Sequence, residues 1–213
     1  MWALIEDGSI TKHLRGNRGI TIGDIQYSRN IFSFRWSNEE REAIGIYEIV
    51  WDNAKKKDEE YYINTDQTFT YDADAGTVTA TYGDATARAH ADTTWSQADS
   101  DNGLLPSDKS VGDVKVEGLK TIRIRTVKAQ AASILTQTDW YIVRKADADT
   151  NVPSAITTFR AAVRTKAAAM ETAITNASDT PAIETLYTYV NTADEGDPRV
   201  MERPLGEFPV LGS

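Results

Sequence analysis

Cysteine is absent from all 213 residues, which excludes disulfide staples and thiolate metal sites. Histidine is scarce: His13 and His90 lie far apart, with no ligand-like neighbour, and read as surface residues. No apolar run approaches the roughly 20 residues that a membrane span requires. The opening Met1-Trp2-Ala3-Leu4-Ile5, followed at once by Glu6-Asp7-Gly8, lacks the basic start and long apolar core of a secretory signal. Also missing are HExxH, a glycine-rich loop ending in Lys-Ser or Lys-Thr, and a GxSxG elbow. Without them the sequence offers no catalytic signature, and no cofactor, metal or nucleotide is expected. Asp72-Ala73-Asp74-Ala75-Gly76 opens like a calcium loop, but Gly83 stands where the twelfth-position glutamate belongs. A turn between strands is the better reading there, and Asp147-Ala148-Asp149 is a weaker case still. A glycosidase-type carboxylate pair is defined by spatial separation, so that chemistry stays open as a remote possibility.

What is present describes an ordinary folded chain: 40% hydrophobic and 26% charged residues, enough for one large or two small domains. The net charge of −9 argues against a nucleic-acid backbone as partner. Patterning predicts an α+β protein in four zones. Residues 1–53 read as short strands around one helix. Asp7-Gly8 marks a hairpin, Ile20–Ile25 and Ile31–Phe34 are strand candidates, and Ser37 with Glu40 forms a capping box before a helix that Gly45 ends. Residues 54–110 open with the charged stretch Lys55–Glu60, a solvated loop, and continue as a β meander over Tyr61–Ile63, Thr68–Tyr71 and Thr77–Tyr82. Trp95–Ser110 has the composition of a long loop.

Residues 111–196 turn helical. Leu119, Ile122, Val127, Ala131, Ile134 and Leu135 trace one apolar face; Ile156, Phe159, Val163, Ala167, Met170 and Ile174 trace another after Pro153. Two helices spanning roughly 115–136 and 153–177 should pack as an antiparallel hairpin, with Trp140 near the corner. A third helix starts at Thr180-Pro181. Residues 197–213 hold Pro198, Pro204 and Pro209, and form an extended Pro/Gly-rich arm with Met201, Leu205, Phe208 and Leu211 as apolar anchors. Such an arm either docks on a neighbouring subunit or fills a groove on its own helices.

The segment from Leu135 to Arg164 carries Asp139-Trp140, Arg144, Pro153, Phe159-Arg160 and Arg164. In that order these residues resemble the small tail assembly chaperones of tailed bacteriophages, whose pattern is Asp-Trp, an Arg, a Pro, and a helix with spaced arginines. The string GDIQYSRNIF…WSNEEREAIGIYEI, Gly23 to Ile49, is similar to a segment near the start of small tail and tail-fibre-associated proteins. The first match covers about a fifth of the chain. Taken singly the residues have plainer readings: Trp140 as a core anchor, Asp139 as a turn cap, Arg160 and Arg164 as a solvated helix face.

The resemblance implies a non-enzymatic virion component, a tail or tail-fibre adaptor or decoration protein working through protein contacts. The alternative is an assembly chaperone that leaves before the virion matures. Trp140, Arg144, Arg160, Arg164, Met201, Leu205, Phe208 and Leu211 are then the candidate partner-binding residues. The implied partners are other phage structural or tail-fibre proteins, or further copies of the chain, with no nucleic acid and no membrane. The implied location is the virion tail, or the host cytoplasm during assembly.

Overall fold

The computed structural model describes residues 1–212; Ser213, the last residue of the expected arm, lies outside the described residues. The protein is mixed α+β, and divides into two compact units, Met1–Thr86 and Ala87–Ser213.

In the first unit, β1 (Trp2–Glu6) and β2 (Ser9–Leu14) form the hairpin expected around Asp7-Gly8. Both turn residues have positive φ, 50° and 72°, as a tight two-residue turn demands. The expected strand at Ile20–Ile25 is instead a small hairpin, β3 (Ile20–Ile22) and β4 (Ile25–Tyr27), with Gly23 in the left-handed region between them. The expected strand at Ile31–Phe34 is also corrected. Arg29–Phe32 is a 3-10 turn, because the Ser28 hydroxyl accepts the Asn30 amide and starts a helical turn. The capping box forms on α1 (Asn38–Glu42): Ser37 accepts from the Glu40 amide while the Glu40 carboxylate accepts from the Ser37 amide. Gly45 follows at φ 80°, and its carbonyl accepts the Ile5 amide.

β5 (Ile46–Asp52), β6 (Tyr62–Ile63), β7 (Thr68–Asp72) and β8 (Thr77–Thr81) complete this unit. The sheet order is β2-β1-β5-β8-β7, with β5 and β8 parallel and the other neighbours antiparallel. The middle zone is therefore not a separate meander, and the expected boundary at 53/54 falls within one sheet. The physical reason is burial. Val78 and Ala80 are fully buried, so β8 takes a central place, whereas β7 alternates exposed and half-buried positions and takes an edge. His13 on β2 stacks on Phe69 of β7 at 4.1 Å, so the two edge strands curl towards each other. Alternation serves both faces: Ala3, Ile49, Val78 and Ala80 pack on one side, Leu4, Ile31 and Ile46 on the other.

The division falls in β9 (Thr86–Ala87). In the second unit β10 (Thr93–Thr94) pairs with β11 (Val114–Val116), enclosing α2 (Gln97–Asp101). The expected loop at Trp95–Ser110 thus contains a short helix, started by a second capping box in which Ser96 and Asp99 bond reciprocally. Next come α3 (Leu119–Thr136), α4 (Asp139–Ala148), α5 (Ser154–Asn176) and α6 (Thr180–Tyr187). α3 has no side-chain cap. Its first amides, Leu119 and Lys120, are satisfied by the carbonyls of Ala89 and His90, and the Asp92 carboxylate accepts from the Gly118 amide at 2.6 Å and the Thr121 hydroxyl at 2.8 Å. A Cβ on Gly118 would come 2.3 Å from the Ala91 backbone, so only glycine fits.

The second core lies between α3 and α5. Val127 and Ala131 pack against Phe159, Val163, Ala167, Met170 and Ile174, with Leu205 added from the C-terminal segment. Each large side chain here contributes about 1.5–3 kcal/mol of burial. The start of α3 meets the end of α5 through Lys120 donating to the Thr175 carbonyl at 2.8 Å, and Arg160 near the start of α5 reaches the Leu135 carbonyl at the end of α3. Ile122, expected on the apolar face of α3, is 37% exposed. Asp179, one residue before the expected Thr180, caps α6 by accepting the Ala182 amide. This frees the Thr180 hydroxyl to donate to the Arg88 carbonyl at 2.6 Å.

The terminal segment is not purely extended. β12 (Val190–Asn191) pairs with β13 (Met201–Glu202), and the Leu205 amide then donates to the Leu186 carbonyl at 3.0 Å. Arg203 lies over the rings of Tyr187 and Tyr189 and pairs with Glu207 at 2.7 Å.

Candidate functional site

The chain leaves α3 at Thr136 and starts α4 at Asp139, so the whole joint is two residues long. It closes on Thr138, which is fully buried. The Leu135 carbonyl, one of the orphan acceptors at a helix end, receives the Gln137 amide, the Thr138 amide at 3.0 Å, the Thr138 hydroxyl at 3.0 Å and Arg160 Nη1 at 2.8 Å. Arg160 Nη1 also donates to the Thr138 hydroxyl at 2.7 Å and lies 2.8 Å from the Asp139 carboxylate. Asp139 sits in the first turn of α4, where a carboxylate is favoured by the amide dipoles. One guanidinium from α5 therefore ties the end of α3 to the beginning of α4.

Arg160 is only 7% exposed. It stands among the expected partner-binding residues, and the hydrogen bonds and ion pair described for it lie within the unit. It was expected beside the apolar stripe, on a solvated face. It lies instead between Phe159 and Val163, both buried, and its Nη1 is engaged by the joint. Arg164, one turn on, is exposed.

Trp140, which the plainer reading placed in the core, is 51% exposed. Its ring lies 3.7 Å from that of Tyr141, and the Arg144 guanidinium sits 5.1 Å from the Trp140 centroid and 5.9 Å from that of Tyr141. The expected connection between helices is itself a helix, and it buries none of its residues. Ile142 and Val143 are 45% and 65% exposed. Sequence reasoning missed these two, although a signal was there. At about 100° per residue, the contiguous apolar run Trp140–Val143 winds most of the way around a helix and cannot all face one core. The helix ends at Asp149, which adopts φ 50° and accepts from Lys145 at 2.6 Å.

The C-terminal candidates split. Leu205 is buried and Phe208 packs on the α3–α5 core, so both act inside the unit; Met201 and Leu211 are 51% and 43% exposed. An apolar depression of about 560 Å³ lies between Leu211 and its neighbours and the first turns of α5, at Ile156 and Phe159.

Among the described residues no group of three or more His, Asp and Glu side chains stands close enough to hold a metal. The Asp72 carboxylate accepts the amides of Asp74 and Ala75, so it is spent on its own turn. α4 thus carries an aromatic pair, an arginine over it and two exposed aliphatic side chains on one short helix. No family model, curated protein or solved structure matches the chain.

Proposed function

We propose that this chain is a non-enzymatic component of a tailed-phage virion, a tail or tail-fibre adaptor that docks through α4. The observation that carries the adaptor role is that α4 exposes Trp140, Ile142 and Val143 while its base is fixed by Arg160. Trp, Tyr and Arg are the residues that most often dominate protein interfaces, and a rigid support lowers the ordering cost of binding. In this reading α3 and α5 form an antiparallel pedestal, and the turn that joins them is enlarged into a presenting helix. The phage setting rests on the sequence resemblance at Leu135–Arg164 and Gly23–Ile49. The partner is a structural or tail-fibre protein, and the location is the virion tail.

The same resemblance supports an assembly chaperone as second reading, acting in the host cytoplasm and absent from the finished particle. Mass spectrometry of purified virions separates the two. A virion component is present at fixed copy number, and Trp140→Ala with Val143→Asp removes it from the particle. Wild-type protein missing from virions yet bound to a tail subunit in infected cells gives the chaperone reading.

A further inference from the structure

Several cations of this chain face carboxylates: Lys55 faces Asp84, Lys115 Asp99, Arg125 Glu117, Lys128 Glu171 and Lys145 Asp149. Between Lys12 and Arg35 the habit breaks. Lys12, Arg15, Arg18, Arg29 and Arg35 share that stretch with a single carboxylate, Asp24, in a chain of net charge −9. All five are exposed, and none has an ion-pair partner among the described residues.

Four of the five surround a groove. A depression of about 440 Å³ is lined by Lys12, Arg15, Arg18 and Phe32. A second, of about 380 Å³, is lined by Arg18, Tyr27 and Arg29. They share Arg18 and Gly19, so the two adjoin. The loop between them is held in place by glycines. Gly16 has φ 73°, and a Cβ there would come 2.4 Å from the Trp2 ring, itself stacked on Phe32 at 4.9 Å. A Cβ on Gly19 would come 2.4 Å from the Tyr27 carbonyl oxygen. The loop is therefore seated on its own sheet face, and Arg15 and Arg18 leave it from fixed points.

We propose that this groove takes an acidic segment of a partner protein, its carboxylates against Arg15, Arg18, Arg29 and Lys12. The proposal rests on the adaptor reading and gives it a second contact, on the other unit. Guanidinium forks match carboxylates two bonds at a time. Single exposed pairs are weak, but four cations around one groove act together and speed the encounter. A short peptide suits the groove better than a nucleic acid does. Directly beyond Arg35 the chain turns acidic at Glu39, Glu40 and Glu42. The net charge of −9 opposes a long polyphosphate more than it opposes a few carboxylates.

The test uses the full chain and fluorescence anisotropy with a labelled Glu/Asp peptide, an oligo-dT strand of equal charge, and a neutral peptide. The Glu/Asp peptide binds best, and its affinity falls as salt rises. Arg15→Glu with Arg18→Glu weakens it at least about tenfold. Arg15→Lys with Arg18→Lys, which keeps the charge and loses the fork, weakens it less than the charge reversal does, and unchanged melting of both variants shows that the fold is retained. Trp140→Ala leaves peptide affinity as it was, which separates this groove from α4. The proposal is overturned if the charge-reversed protein binds the peptide as well as wild type, if oligo-dT binds as tightly or more so, or if Trp140→Ala abolishes peptide binding. Only the virion measurement bears on the adaptor reading itself.

Discussion

α4 and α5 are neighbours in the chain and obey opposite rules. α5 buries Ile156, Phe159, Arg160, Val163, Ala167, Met170 and Ile174; α4 buries nothing. α5 is held by what its side chains displace from water. α4 is held at one end, by a guanidinium that belongs to α5. A helix with no buried face cannot rely on propensity at this length, so α4 persists because its first turn is anchored. The contrast separates the part that makes the fold stable from the part that is free to meet something else.

Four measurements sharpen or break that contrast. The largest effect belongs to the core of α5. Met170→Ala should destabilise the second unit by roughly 3 kcal/mol, read from chemical denaturation of the full chain, because the site is almost fully enclosed. Arg160→Met comes next, at about 2 kcal/mol, since it strips donors from the Leu135 carbonyl, the Thr138 hydroxyl and Asp139. Its fingerprint is local: hydrogen exchange should speed up through residues 138–148 more than in α5. Equal loss along both helices would mean that α4 is not tethered at this joint.

The third measurement turns to α2, another helix with no buried residue. Its Asp99 carboxyl is lowered from 3.8 to about 2 by hydrogen bonds from Lys115 and from the Ser96 amide and hydroxyl. A depressed carboxyl contributes stability that is fully present above its unfolded value and is lost as pH falls through its folded value. Protection of the 97–102 amides should therefore hold at pH 5 and decline between about pH 4 and pH 2. Decline already complete at pH 4 would show that the carboxylate does not hold this turn. The smallest effect on stability is expected for Trp140→Ala, within about 0.5 kcal/mol. On the proposed function, its effect is read in virion incorporation instead. A large loss of stability instead would place Trp140 in the structural frame.

The stripe on α5 was readable because burial follows a single period over many residues. All six of its apolar positions, Ile156 to Ile174, are buried. The hairpin at Asp7-Gly8, the Ser37 capping box and the stop at Gly45 were readable because each is settled within a few residues. What escaped depends on distance along the chain. Arg160 reaches Leu135 across 25 positions, Thr180 reaches Arg88 across 92, and β8 inserts beside β5 in parallel. No local pattern records those meetings. Of the candidate site, Trp140 and Arg144 could be named from sequence order, and Arg160 could be named but not placed. Ile142 and Val143 came into view only with the helix itself.

The sheet of the first unit has a consequence for how the chain is made. All five of its strands lie between Trp2 and Thr81, and domains generally fold as units, the N-terminal one first during synthesis. The basic groove can therefore be finished while the helices are still being translated. The joint at Leu135 cannot close until Arg160 has been added. A nascent chain halted between these points would carry a complete sheet and a joint still without its guanidinium.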